Sequence, residues 1–350
     1  MTEIAVQPPR TPVTRKDVAR YAGVSTAVVS YVVNSGPKNV APATAARVLD
    51  AIRILGYRPN AAARALKLGS TEMLGLVLPD NSNPFFAEFA REIEIAAGNH
   101  GYALLLANSN GNVSEEHRHL RNLASRQVDG VILASNSMNE PVTRNILTSD
   151  LPTVLLNQAV PVPGMASVGA DFRAGAADAV RHLIGHGHTE IALLMGAGTS
   201  TITDERELGW LDALAEAGLP EGPIARAPFT REGGYRGGQR LVRGAHRPTA
   251  VFCSSDLQAI GLLRALHEAG LSIPEDVAVV SFDGSAESMY SWPALTTVRQ
   301  PLADMAAAAV NAVLPAGGKT PLTHEVFPTE LIIRRSCGCD SLPTTPQRNA

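Results

Sequence analysis

Residues 13–34 read VTRKDVARYAGVSTAVVSYVVN. The stretch predicts two short helices joined by a tight turn. Thr14 stands at an N-cap position, and Asp17 three residues on can reach back as a capping box. Val18, Ala19 and Ala22 give a small apolar face, and Gly23 breaks the run. Ser25 is a second N-cap. Beyond it, Val29, Val32 and Val33 share one side of a helix, while Thr26, Ala27, Ser30, Tyr31 and Asn34 share the other. A short, almost uncharged helix with its polar face outward, joined through a Gly turn to a capped helix, is a helix-turn-helix whose second helix would enter a DNA major groove. Caps and periodicity alone fit two core helices of an ordinary domain equally well.

Charge separates those readings. The chain has 350 residues and a formal net charge of −3. Positions 10–70 hold ten Lys/Arg against Asp17 and Asp50, whereas the other 289 residues hold 20 Lys/Arg and 31 Asp/Glu. A basic head on an acidic body is the footprint of a polyanion-binding module attached to something else. No stretch approaches the ~20 apolar residues of a membrane span. MTEIAVQPPRTP at the N-terminus lacks an apolar h-region, so the expected location is cytoplasmic. Cys253, Cys337 and Cys339 make no disulfide framework, which fits a reducing compartment.

Taken in order, residues 1–12 carry three prolines and no periodicity, predicting a disordered arm. After the helix-turn-helix, a third helix is predicted from about Ala43 to Leu55, with Val48, Leu49, Ile52 and Leu55 buried. YRPNAAARALKLGS follows at 57–70. Asn60 is an N-cap for a helix of one and a half turns, well below the ~12–15 residues that hold alone in water. Arg64 and Lys67 flank Leu66, its one large apolar group. From sequence alone this is either an interdomain linker or a minor-groove wedge.

From Met73 strands alternate with helices. MLGLVLP, YALLLAN, GVILAS and PTVLLN form a first series, with helices near Pro84–His100, Ser114–Arg126 and Asn139–Ser149. SVGAD, IALLMG, PIARAPF, AVFCSS and VAVVSFD form a second, with helices near Arg173–Gly185, Asp204–Ala217, Gly233–Arg243 and Leu257–Ala269. Nearly continuous apolar strands joined by helices predict parallel sheets covered on both faces. The fold class is therefore α/β: a three-helix head and hinge helix, then two doubly wound parallel-sheet lobes with a cleft between them. In such sheets ligands bind beyond the carboxyl ends of the strands.

DVARYAGVSTAVVSYVVN in the head, then GYRPN and ARAL, then GLVLPDNSNPFFAE, DGVILAS, FCSSDLQAIGLLRAL, GLSIPEDVAVVSFDG and LTTVRQP in the body each match, collinearly, a segment of one family. Over about residues 13–337 the sequence resembles the LacI/GalR family of bacterial transcription repressors. The resemblance implies a homodimer on pseudo-palindromic operator DNA, with paired hinge helices inserting Leu66 into the minor groove. It implies a body like a type I periplasmic binding protein, with three crossovers and an effector in the cleft. The expected divisions are 1–12 (arm), 13–58 (head), 59–70 (hinge), 71–340 (effector and dimerisation body) and 341–350 (tail). Within the body, one lobe takes about 71–170 and 299–327, the other 171–298 and 328–340. Val28 and Tyr31 replace the family's usual Thr and Arg. An Arg reads guanine through two hydrogen bonds, and a Tyr cannot, so operator sequence does not carry over.

The candidate DNA contacts are Thr14, Ser25, Thr26, Ala27, Ser30, Tyr31, Asn34, Asn60, Arg64, Leu66 and Lys67. Strand-end position and resemblance together nominate Phe85, Phe86, Asn108, Ser135, Asn157, Arg206, Trp210, Ser255, Asp256, Asp283 and Gln300 as effector contacts. Arg206 and Asp283 match positions where the family commonly holds effector hydroxyls or a base. The family's usual Asn-Asp is Ser255-Asp256 here. Aromatic faces with Asp, Asn and Arg suit a polyhydroxyl ligand. A sugar or nucleoside is favoured, with purine bases and phosphorylated metabolites open. No metal or cofactor is predicted: His186 and His188 lack further ligands in sequence, and Cys337-Gly-Cys339 is set aside for the same reason. The glycine pairs 233–234 and 237–238 do not follow a strand in phosphate-loop spacing. Cys253 and the strand-end acids spell out no nucleophile–base–orienter set, so no enzyme is predicted. The alternative, a sugar-binding receptor without DNA function, is opposed by the basic head.

Overall fold

A computed structural model describes residues 13–33, 39–59, 64–66, 69–135, 151–197, 203–244, 247–314 and 322–339. The expected arm, tail and helix near 139–149, with Asn34, Asn60 and Lys67, lie outside the described residues. The chain divides into two compact units, residues 1–71 and 72–350.

In the first unit, α1 (Arg15–Ala22), α2 (Thr26–Val33) and α3 (Pro42–Leu55) pack against one another. Gly23 takes the left-handed conformation at φ 66° and ends α1, as a residue without a Cβ does most readily. Val18, Val29, Val48 and Ala51 are fully buried at the centre, with Val32, Val33, Ile52 and Leu55 packed around them. Leu49 departs from expectation: it is 56% exposed, and Ala51 takes the core position. On α3 the face that meets α1 and α2 runs through 48, 51, 52 and 55, and residue 49 falls beside that stripe.

In the second unit, two six-stranded sheets run in the orders β11-β5-β4-β3-β1-β2 and β12-β10-β9-β8-β6-β7. The first contains β1 (Met73–Leu78), β2 (Ala103–Asn108), β3 (Gly130–Ala134), β4 (Thr153–Leu156), β5 (Ala166–Ala170) and β11 (His324–Phe327). The second contains β6 (Ile191–Gly196), β7 (Ile224–Ala227), β8 (Ala250–Cys253), β9 (Ala278–Asp283), β10 (Thr296–Arg299) and β12 (Glu330–Ile332). All pairings are parallel except β10 with β12. The SVGAD strand, read at the head of the second series though within the expected 71–170 of the first lobe, pairs with β4 and β11 in the first sheet.

Alternation explains why the strands read as unbroken apolar runs. Leu74, Leu76 and Leu78 face one core with Phe89 and Ile93 of α4 (Pro84–Asn99) and Met305 of α11 (Leu302–Val313). Val77, Val131, Leu133 and Leu155 face another, with Leu123 of α5 (Val113–Ser125). In the second sheet, Leu193, Phe252, Val280 and Phe282 share the first core with Val180 of α6 (Phe172–Gly185) and Leu214 of α7 (Glu205–Glu216). Leu194, Val251 and Val279 lie in a core with Leu241 of α8 (Arg231–Arg243) and Leu262 of α9 (Asp256–Glu268). Both faces are buried, so neither offers a ligand surface, and function is left to the strand ends. A short α10 (Glu287–Tyr290) follows β9. The chain passes between sheets after β5, after β10 and between β11 and β12.

The glycine pairs of α8 now have a cause. A Cβ on Gly234 would stand 2.0 Å from the Gln258 carbonyl oxygen, and one on Gly261 would stand 2.0 Å from that of Arg231. These helices touch backbone to backbone. Gly234→Ala or Gly261→Ala is expected to lower the unfolding free energy by about 3 kcal/mol, the upper end of overpacking costs. Gly98→Ala on α4, where nothing lies within 4 Å, is expected to gain up to about 1 kcal/mol. Urea unfolding of the three variants checks both directions.

Candidate functional site

The head presents its second helix as the sequence predicts. The Asp17 carboxylate accepts from Thr14 N at 2.9 Å and Thr14 Oγ1 at 2.6 Å, and those bonds hold its pKa below the usual range. Ser25 Oγ accepts from Val28 N at 3.3 Å and caps α2. Thr26 and Ala27 are exposed, and Ser30 and Tyr31 are half-buried. Arg15, Lys16 and Arg20 on α1 are exposed as well. Tyr21, not nominated from sequence, is 58% exposed and adds an amphipathic ring to the same helix. Residues 64–66 are helical, and Leu66 is 89% exposed.

In the body, the nominated polar residues of the first sheet lie at the carboxyl ends of β2, β3 and β4. Asn108 ends β2, and its Oδ1 accepts from Asn81 N at 3.0 Å. Ser135 follows β3 and donates to Glu116 Oε2 at 2.9 Å. Asn157 follows β4 at φ 62°, with its Oδ1 buried and unpartnered among the described residues. Glu116 Oε1 is likewise unpartnered, and burial raises this acid's pKa despite the Ser135 bond. Phe85 is a correction: it is 3% exposed, edge-on to Phe86 and Phe89, so its faces are already used. Phe86 keeps 8% of its surface.

At the second sheet's carboxyl edge the centre is Arg206. Its Nε and Nη2 donate to the two Asp204 oxygens at 2.9 and 2.8 Å, and Nη1 donates to the Ser254 carbonyl at 2.8 Å. The rings of Phe172, Phe229 and Phe282 surround its guanidinium carbon at 5.1, 5.1 and 5.7 Å. Burial opposes the charge, but Asp204 and Asp283 outweigh it and hold the guanidinium above its ordinary range. Phe172, Phe229 and Asp204 were not nominated from sequence. A Cβ on Gly196 would stand 2.2 Å from the Phe229 ring, so the glycine ending β6 makes room for it.

Asp283 ends β9 at φ 115°, a backbone state costly to any non-glycine residue. Among the described residues its carboxylate accepts two long contacts, 3.4 Å each, from Asp256 N and Gln300 Nε2. Burial, then neighbouring Asp256, pushes its pKa well above the carboxylate range, with Arg206 pulling the other way. Gln300, 3% exposed, has its Oε1 unpartnered among the described residues. Asp283 and Gln300 therefore meet beside Arg206 with hydrogen-bonding capacity to spare.

Two nominations become corrections. Asp256 accepts from Ser281 Oγ, Thr297 Oγ1, Ser285 N and Ser285 Oγ at 2.6–2.8 Å, so its carboxylate is consumed in tying β9 and β10 to α9. Trp210 is fully buried, its Nε1 donating to the Ile191 carbonyl at 3.2 Å, and is a core residue. Ser255 caps α9 by accepting from Gln258 N at 3.3 Å and is 2% exposed. Sequence also missed Glu88 on α4, whose carboxylate accepts from Ala286 N at 2.8 Å and so joins the first lobe to the loop after β9.

The expectation that the histidines near 186 lack further ligands also fails. His182 and His186 lie beside Cys337 and Cys339, with the four ligand atoms within 4.8 Å of one another. The separation of about 150 residues hid this from local motif reading. His188 stands apart, 3.0 Å from Thr249 Oγ1.

Similarity to known proteins accords with this geometry. Residues 14–60 match the family described as bacterial regulatory proteins, lacI family, and residues 180–337 match the periplasmic binding protein-like domain. The chain is 38% identical over 302 residues to catabolite control protein A of Priestia megaterium, covering 85% of this chain and 91% of that one. It is 35% identical over 306 residues to the ribose operon repressor of Escherichia coli (strain K12), covering 86% and 92%. The crystal structure of the lac repressor dimer bound to operator and the anti-inducer ONPF superposes with a TM-score of 0.82 at 25% identity, over 93% of this chain and 99% of that one.

The buried acid of this site gives a stability signature. A carboxyl whose folded pKa lies above its unfolded value contributes stability that is complete below the unfolded pKa and is lost as pH rises through the folded pKa. Wild-type protein is therefore expected to lose stability relative to Asp283→Asn as pH rises above about 4. Asparagine keeps the side chain's shape and meets the same backbone cost at φ 115° as the aspartate it replaces, so the comparison isolates the charge. Denaturant midpoints of the two proteins across pH 4–8 read the difference directly.

Proposed function

The chain belongs to the lacI family of bacterial regulatory proteins, and from that premise we propose how it represses transcription: as a homodimer on two-fold-symmetric operator DNA, with affinity set by a small donor-rich ligand at the strand carboxyl ends of its two lobes. The observation that carries the regulatory half is the unfinished hydrogen bonding there. Asn157 Oδ1, Glu116 Oε1 and Gln300 Oε1 are buried acceptors without partners among the described residues, and Asp283 holds only long contacts. Buried polar groups are normally satisfied, so such a set calls for donors. Ring hydroxyls of a sugar or nucleoside supply them, and the aromatic walls around Arg206 suit a ring. The relative that represses a ribose operon favours a pentose or pentoside among these.

The head supplies the DNA half. Thr26 and Ala27 lead an uncharged α2 toward base edges, while Arg15, Lys16 and Arg20 serve phosphates. Leu66 stands ready to wedge a base step in the minor groove, its flank completed by Arg64. Asn34, Asn60 and Lys67 remain nominated contacts. The hinge at 59–70 is the two-state element, and effector binding must favour one of its states to act at all. Protein of this kind works where the chromosome is, in the cytoplasm. A catalytic role is not part of this reading: burial holds the Cys253 thiol well above its ordinary pKa, leaving it a poor nucleophile.

Two tests follow the two halves. The operator, selected from random DNA, is expected to be two-fold symmetric. Leu66→Ala should weaken its binding about tenfold or more, the scale of one lost apolar anchor, with the melting temperature unchanged. A lowered melting temperature with intact DNA affinity would make Leu66 a core residue instead. For the effector, a thermal-shift panel of pentoses, hexoses, nucleosides and purine bases is followed by operator binding with each hit. A true effector should change operator affinity about 5- to 150-fold, and Asp283→Asn should abolish that response while leaving unliganded affinity within a few-fold. Asp283→Asn is cleaner than Arg206→Ala, which strands the Asp204 carboxylate. A variant that responds fully at the wild-type concentration removes Asp283 from the site.

A further inference from the structure

Helix α6 carries His182 and His186 one turn apart, and hence on one face. The segment after β12 brings Cys337 and Cys339 against that face, with Gly338 between them at φ 96°, a conformation glycine adopts readily. His182 Nε2 lies 3.2 Å from Cys337 Sγ and 3.7 Å from Cys339 Sγ, and His186 Nε2 lies 3.2 Å from Cys339 Sγ. Tetrahedral zinc takes nitrogen at about 2.0–2.1 Å and sulfur at about 2.3 Å, which sets neighbouring N and S donors about 3.5 Å apart. The observed spans bracket that value. We infer that these four side chains form a Cys2His2 site for Zn2+ that clamps α6 to the returning end of the chain in the second lobe.

The surroundings hold the donors in place before any ion arrives. Ser336, next to Cys337, is stitched to the sheet through its carbonyl and hydroxyl: Val279 N donates to Ser336 O at 2.7 Å, Thr296 N donates to Ser336 Oγ at 2.8 Å, and Ser336 Oγ donates to Val279 O at 2.6 Å. Thr296 Oγ1 donates to Cys337 Sγ at 3.0 Å, an outer-shell bond that suits a thiolate. His186 caps the carboxyl end of α6, where the helix dipole favours a cation. Binding Zn2+ to two thiols and two neutral imidazoles releases two protons and leaves a neutral complex. Neutrality matters because Cys337 is 1% exposed, and an uncompensated charge there would be costly. Two thiolates with two imidazoles in a tetrahedron select zinc over harder cations. A plain cluster of thiols hydrogen-bonded to imidazoles is the competing account, and it predicts no metal.

Full-length protein without a polyhistidine tag, purified reduced and dialysed, decides between them. Elemental analysis should find about one zinc per chain, and X-ray absorption should show a shell of two sulfurs and two nitrogens. Chelator-stripped protein should melt lower and recover on adding zinc, and should give tetrahedral and thiolate-to-cobalt absorption with Co2+. The double variant His186→Ala with Cys339→Ser, at an exposed and a half-buried position, should lose the zinc, while the exposed His267→Ala should keep it. Reduced wild-type protein that holds no zinc and gives no thiolate-to-cobalt band overturns the site. So does a double variant that keeps wild-type zinc content. Should the double variant fail to fold, the wild-type metal content and absorption shell still give the answer.

Discussion

A buried guanidinium is costly unless its partners are fixed, and Arg206 sets the terms for the ligand end of the second lobe. Asp204 caps the helix that carries Arg206 and also takes its bidentate bond, so the cation is held from its own helix. Three aromatic rings exclude water around it. With Arg206 satisfied in this way, its field reaches Asp283 without an ion pair forming. Asp283 is left buried, strained and underbonded. Buried acceptors left short of partners bind donors strongly, because each missing hydrogen bond is made at little further desolvation cost.

The same edge explains how a bound molecule could be felt elsewhere. Asp256 locks β9, β10 and α9 together through four hydrogen bonds, so the second lobe's ligand edge moves as one piece. Glu88 of the first lobe grips Ala286 in the loop directly after Asp283. Burial raises the Glu88 pKa, with the Ala286 bond opposing. A ligand that reorganises residues 283–286 therefore acts on a contact between lobes. Packed elements joined through such a contact shift between discrete arrangements rather than deforming continuously, which is the requirement for a switch.

Much of this was legible in sequence because it is periodic or local. The capping box at Thr14 and Asp17, the valine face of α2 and all nine strands read from the apolar runs sit within a residue or two of their expected bounds. What failed was non-local. Leu49 looked as apolar as its neighbours, and only helix packing decided that Ala51 would be buried. Trp210 and Asp256 carry the chemistry of ligand contacts, but a 3.2 Å bond to a backbone carbonyl and a ring of Ser and Thr donors absorbed them. Arg206 and Asp283 were named from resemblance, whereas Phe172 and Phe229 are apolar residues with no local mark of function. His182, His186, Cys337 and Cys339 show the limit most plainly, since i, i+4 histidines and a Cys-Gly-Cys are each weak motifs until the fold brings them together.

The central claim is that strand-end ligand binding and operator binding share one free energy. Linkage requires the two effects to be reciprocal. The most direct test measures, in the same buffer and salt, operator affinity of full-length protein with and without saturating effector, and effector affinity with and without saturating operator. The account predicts the same factor in both directions, between about 5 and 150. A ligand that binds at the strand ends yet leaves both affinities unchanged would contradict it.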